Sequence, residues 1–139
     1  LSLAAALPAP EALLAAEPYA SRRVRYQEML HAGIASAELR SAIVLAVTAA
    51  GEFRIASPLA NRLQDLHPDK CVVVVERSVD THRLSVRSRR KGLHLGALLG
   101  RLTMVLGEGD GTGHEAAGSA RIPAAREAEF LRLLEAELG

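Results

Sequence analysis

Hydrophobic positions along the chain recur with a period of two in some stretches and with helical spacing in others, and each stretch specifies an element. Residues 82–88 read His-Arg-Leu-Ser-Val-Arg-Ser. Period two makes this a strand with Leu84 and Val86 on one face, and Arg83, Ser85 and Arg87 on the other, with Arg89 continuing the polar row. Cys71 to Val75 is an unbroken apolar run dominated by β-branched residues, which predicts a strand covered on both faces. The turn residues Ser78 to Thr81 between these runs predict an antiparallel pair. Ile43, Val44, Leu45 and Val47 place a further strand over Ser41–Thr48, with a short one over Phe53–Ala56 and a last one over Ala116–Ile122.

Helical spacing predicts four helices. Tyr19–His31 presents Tyr19, Tyr26, Met29 and Leu30 to the core and stops at Gly33. Ser57-Pro58 reads as an N-cap followed by proline at the first helical position. That helix buries Leu59, Leu63 and Leu66 and ends at His67-Pro68. Leu93–Leu106 buries Leu95, Leu98, Leu99 and Leu102, and Pro123 opens a final helix with a stripe of Phe130, Leu131, Leu134 and Leu138. Strands alternating with helices define an α/β fold, a mixed sheet of about five strands covered by helices. The expected organisation is a linker and connecting helix over 1–36, with Pro8, Pro10 and Pro18 punctuating it, and a single domain over 37–139.

Length and composition narrow the function. A chain of 139 residues can bury a real core. Aromatics make up only 3% of it, which argues against binding nucleic acid chiefly by stacking bases on rings. The formal net charge is +1, so attraction for a polyanion must come from local clustering. The single Cys71 cannot form an internal disulfide, fits a cytoplasmic location and reads as a small hydrophobe. No apolar stretch is long enough for a membrane-spanning helix. Leu1–Leu7 is too short and lacks the basic residues of a signal peptide, and with no initiator methionine the chain is expected to be part of a longer protein.

Charge is concentrated. From Arg77 to Arg101 there are seven Arg or Lys against the single Asp80. On charge alone this is a solvated face. Ser85 beside Arg87, however, offers a hydroxyl and a forked guanidinium to one phosphate. Lys91 and His94 then stand at the start of the next helix, where an anion is favoured. Further on, Gly109, Gly111, Gly113 and Gly118 surround His114. Taken alone this is a flexible turn. Beside the Ser-Arg strand it reads as a concave backbone site for phosphate with a histidine donor at its rim.

Ser85-Val86-Arg87-Ser88, followed by a helix and then Gly111-Thr112-Gly113-His114 with Ala116, Ala117 and Gly118, resembles the DHH-associated domain. This is the C-terminal substrate-binding domain of DHH phosphoesterases, a superfamily of RecJ-like exonucleases, oligoribonucleases and cyclic-dinucleotide phosphodiesterases. The resemblance spans roughly Ala37 to Leu134 and is similar in form to archaeal members. It implies that Ser85 and Arg87, with Ser88, Arg89 and Lys91 nearby, hold substrate phosphate. It also implies that Gly111, Thr112 and Gly113 cradle the substrate while His114 assists by hydrogen-bonding a phosphate near the scissile bond. Thr112 departs from the three-glycine form common in the family, and the spacing from His114 to Gly118 is shorter than in common bacterial members. The related domain of alanyl-tRNA synthetases is the weaker match, because it usually lacks a histidine at the place of His114.

The four aspartates stand apart at 65, 69, 80 and 110, and a two-metal centre needs several ligands held together. The nearest grouping, Asp65, His67 and Asp69, is broken by Pro68 and Lys70 in a helix-to-strand loop. No catalytic residue and no metal ligand is therefore assigned within the chain. The resemblance implies that the divalent Mn or Mg belongs to a DHH catalytic domain of the same polypeptide. The partner expected is nucleic acid, an oligonucleotide or a cyclic dinucleotide. The alternative is a stand-alone, non-catalytic nucleic-acid-binding or replication-scaffold protein of the same fold.

Overall fold

The computed structural model describes residues 10–51 and 53–139, with side chains described from residue 19 onward. The leader read over Leu1–Pro8 lies outside the described residues. The described elements are α1 (Pro10–Ala35), β1 (Glu38–Leu39), β2 (Ile43–Ala49), α2 (Ala56–Leu66), β3 (Cys71–Arg77), β4 (Thr81–Arg87), α3 (Leu95–Leu106), β5 (Asp110–Gly113), β6 (Ala117–Pro123) and α4 (Glu127–Leu138). The six described strands form one sheet in the order β1-β2-β3-β4-β6-β5. Among them only β2 and β3 pair in parallel, joined through α2; the other pairs are antiparallel. The sheet is thus mixed, as the alternation of elements predicts, with one strand more than expected.

Two apolar clusters hold the layers. On one face Val73, Val75, Leu84, Val86, Ala120 and Ile122 meet the inner sides of α3 and α4. On the other, Val44, Ala46, Val72 and Val74 meet Leu59, Ala60 and Leu63 of α2 and Leu30 of α1. The valines of β3 alternate between the two clusters, which is why the whole run is apolar. The stripe Phe130, Leu131, Leu134 and Leu138 is buried as its spacing predicts.

Several boundaries move, each for a local reason. Helix α1 runs through Gly33 to Ala35 and begins at Pro10, so that Pro18 lies inside it. Gly33 does not stop the helix because its role is contact: a Cβ there would stand 2.6 Å from Leu59 Cδ2. Tyr19 is exposed; among the described residues of α1, Tyr26, Met29, Leu30 and Ile34 pack on the core. Helix α2 starts at Ala56 with Ile55 as its cap and no side-chain capping bond, placing Ser57 in the first turn. Leu66 is exposed at the end of that helix, and Phe53–Ala56 forms no strand. Pro123 closes β6 and leads into a single 3-10 turn, Ala124–Arg126, before α4.

The largest revision concerns the glycine-rich segment. Asp110–Gly113 is not a loop but edge strand β5, paired antiparallel with β6. Its glycines admit α3. A Cβ on Gly111 would lie 2.7 Å from the Leu99 backbone, and one on Gly96 would lie 2.2 Å from the Gly113 carbonyl oxygen. Helix and edge strand therefore touch backbone to backbone, which only residues without side chains allow.

Candidate functional site

The site follows from the pleat of β4, β6 and β5. Leu84, Val86, Gly118, Ala120 and Ile122 turn toward α3 and α4, so their neighbours Arg83, Ser85, Arg87, Ser119 and Arg121 share the opposite face. Across the strands the register sets Ser85 opposite Ser119 and Ser119 opposite Thr112, a row of three hydroxyls. Arg83 stands opposite Arg121 on one side of that row, and Arg87 stands opposite Ala117 on the other. Helix α2 packs over β3 and reaches β4. There Ser57 joins Arg83, Ser85, Arg87, Thr112 and Ser119 around a shallow depression open to solvent.

Arg87 dominates this depression chemically. Its Nε donates to Asn61 Oδ1 at 2.9 Å and one terminal nitrogen donates to the Val86 carbonyl at 3.0 Å. Both partners are neutral. Burial pushes the guanidinium pKa down from its ordinary value, with no carboxylate to offset it. An arginine remains charged at any physiological pH, so the group is a half-desolvated cation without a counter-ion. Ser85, buried beside it, has no side-chain hydrogen-bond partner among the described residues, and neither do Thr112 and Ser119.

The other residues singled out from sequence divide. Ser88 Oγ accepts from the Arg90 amide at 3.1 Å, and Ser88 N donates to the Ala116 carbonyl at 3.1 Å; Ser88 therefore fixes the turn after β4. Arg89 is ion-paired with Asp65 at 2.6 Å and lines, with Ser88 and Arg87, an adjoining depression beside α2. Lys91 lies in an exposed turn between β4 and α3. Gly111 faces α3 and Thr112 faces the open side. Gly113, with φ at 143°, reaches the end of the strand, and His114 follows it, exposed at the β5–β6 hairpin.

Two expectations change here. The N-terminus of α3 is not open to an anion. Its Leu95 and Gly96 amides donate to the carbonyls of Glu115 and His114, and the Ala97 amide donates to His94 Nδ1 at 3.1 Å. Nor do the glycines form a concave backbone nest, because Gly111 to Gly113 are in ladder with β6. What the hairpin offers outward is the Thr112 hydroxyl and the His114 ring. The sequence reading missed Ser57, Asn61, Ser119 and Arg121. The alternation Ala117-Ser119-Arg121 against Gly118-Ala120-Ile122 carried the signal for the last two, with polar and apolar positions already separated by face.

The model of the DHHA1 domain matches residues 34–139, which is most of the chain. The chain belongs to the DHHA1 domain family. No curated protein gives a significant sequence match to it. Among solved structures, this DHHA1 domain is similar to RecJ of Thermus thermophilus in complex with Mn2+, at 19% identity and a TM-score of 0.66, over 86% of this chain and 17% of that one. It is also similar to the C-Ala domain of Aquifex aeolicus alanyl-tRNA synthetase, at 17% identity and a TM-score of 0.59, over 74% of this chain and 97% of that one. A pGpG-specific phosphodiesterase of Vibrio cholerae aligns at 15% identity and a TM-score of 0.54, over 95% of this chain and 44% of that one. At these identities the likeness concerns the fold. The DHHA1 domain spans a minor part of the RecJ and phosphodiesterase chains. Among its described residues no group of three His, Cys, Asp or Glu is gathered as a metal centre requires, and no helix is long and apolar enough to cross a membrane.

Proposed function

We propose that this DHHA1 domain binds nucleic acid or nucleotide phosphate and presents a phosphodiester to a metal-dependent DHH catalytic domain of the same polypeptide. The observation that carries this reading is the Arg87 guanidinium, half-buried with neutral partners only, beside the unpartnered Ser85 hydroxyl on an open sheet face. A phosphate there supplies the missing negative charge and accepts from both groups. Thr112 and Ser119 extend the donor row, and His114 at the hairpin tip reaches a phosphate near the bond to be cut. Arg89 and Ser88 hold the wall of α2 and the turn next to it, and Lys91 adds long-range attraction. In this reading a Mn or Mg held by the DHH domain would supply an activated water, while residues of the DHHA1 domain bind and orient. The parent enzyme acts as a cytoplasmic phosphoesterase or exonuclease on an oligonucleotide or cyclic dinucleotide.

The test is oligonucleotide binding by the Arg87→Ala variant as a function of salt. Removing one charge-assisted contact should cost about 1.5–3 kcal/mol and lower the salt slope by about one phosphate. Affinity and slope equal to those of the unaltered protein refute the assignment. The catalytic half of the proposal is checked in the gene, where coding sequence upstream of Leu1 should specify an Asp-His-His motif.

A further inference from the structure

A second group of arginines lies on the same sheet face, adjoining the Arg87 depression and sharing Arg83 with it. Arg83 on β4 and Arg121 on β6 are directly opposite each other. Arg54, from the segment between β2 and α2, joins them around an open depression that also includes Thr81 and Glu76. Like charges opposed across a strand pair destabilise a sheet, so the arrangement needs a compensating reason.

Five other arginines are neutralised, whereas among the described residues Arg62 and Arg132 on helix surfaces, like Arg87, hold no carboxylate. Arg40, Arg77, Arg89, Arg101 and Arg126 each hold a carboxylate. Arg54, Arg83 and Arg121 form no hydrogen bond or ion pair among the described residues. Carboxylates are nearby, since the register places Glu76 opposite Arg83 and Asp110 opposite Arg121. Neither comes within ion-pair distance of a guanidinium in this cluster. The donors of all three arginines are left for a ligand.

We infer that Arg54, Arg83 and Arg121 form a second phosphate subsite for the backbone of a single-stranded oligonucleotide lying along β4. The inference rests on the reading that Arg87 holds a phosphate. Arg83 and Arg87 are four residues apart on one strand, a separation of about 13 Å at the rise of a β-strand. That exceeds a single phosphodiester step, so a strand held at Arg87 reaches the second subsite two or more nucleotides farther on. The hydroxyl row of Ser85, Ser119 and Thr112 lies between the two subsites and supplies neutral donors to the intervening backbone. The site therefore selects an oligomer over a dinucleotide.

The experiment measures binding of dinucleotide and hexanucleotide thymidylates and uridylates to the chain and to two variants. Arg54→Ala/Arg121→Ala, which spares Arg83 because it lines both depressions, should weaken the hexanucleotide about tenfold or more, the loss expected for charge-assisted contacts, and leave the dinucleotide within about twofold. Arg87→Ala should weaken both lengths. A response to the DNA series, the RNA series or both supports the subsite and identifies the sugar. A hexanucleotide unaffected in both series, or a dinucleotide weakened as much as the hexanucleotide, overturns it. If Arg87→Ala changes neither length, the phosphate reading of Arg87 fails instead. Melting curves guard against misfolding: both variants should unfold cooperatively well above the assay temperature, so that a lost affinity is read on folded protein.

Discussion

Two glycines one helical turn apart in α3 should respond to the same substitution with opposite signs. A Cβ built on Gly96 falls 2.2 Å from the Gly113 carbonyl oxygen and 2.5 Å from its carbon, both backbone atoms of β5. One built on Gly100 meets only the Gly111 carbonyl oxygen, at 3.5 Å, an ordinary contact. Alanine is preferred over glycine in a helix interior by about 1 kcal/mol, so Gly100→Ala should stabilise the protein by about 0.5–1 kcal/mol. Gly96 lies in the first turn, where that gain is smaller. The steric term there is large, because the atoms in the way cannot rotate aside as a side chain would. Helix α3 must lift by about an ångström from an edge strand it touches directly, an overpacking cost of about 1–3 kcal/mol. Thermal and urea unfolding of both variants measure the difference. At about 3–5 °C per kcal/mol for a chain of this size, Gly96→Ala should melt several degrees below the unaltered protein and Gly100→Ala a few degrees above it. Equal stability of the two variants, or a more stable Gly96→Ala, would refute the conclusion that these glycines exist to bring α3 onto β5.

Two further outcomes follow from titratable groups. Burial pushes the Cys71 thiol up to about 12, so a thiol reagent at neutral pH should label the folded chain far more slowly than the chain in denaturant; equal rates would contradict the buried site. Glu127 is held below the usual carboxylate range chiefly by its bond to Arg77, with His82 adding to it. A depressed carboxyl stabilises the fold above the unfolded value, about pH 4.3, and that contribution is lost as pH falls through the lower folded value. Glu127→Gln should therefore cost about 1 kcal/mol at neutral pH, discounted because Arg77 is half exposed, and the gap to the unaltered protein should close below about pH 4. A gap that does not change with pH would remove Glu127 as its source.

Much of this molecule was legible in the order of its residues. The alternation at 82–88 assigned the two faces of β4, because a strand sends successive side chains to opposite sides whatever it pairs with. The apolar run at 71–75 required cover on both faces, and the stripe at Phe130, Leu131, Leu134 and Leu138 required a buried helix face. The two motifs with Ser85-Arg87 and Gly113-His114 sufficed for the family. The glycine-rich segment was different: a residue without a side chain carries no periodicity, so nothing local distinguishes strand from turn. Only tertiary packing made it an edge strand, through the hydrogen bonds of β6 on one side and the backbone of α3 on the other. Strand register also lies beyond local reading, since it depends on residues far apart in the chain. The sequence determined which residues are polar and which way they face; the pairing of β4 with β6 decided that Ser119 stands beside Ser85 and Arg121 beside Arg83.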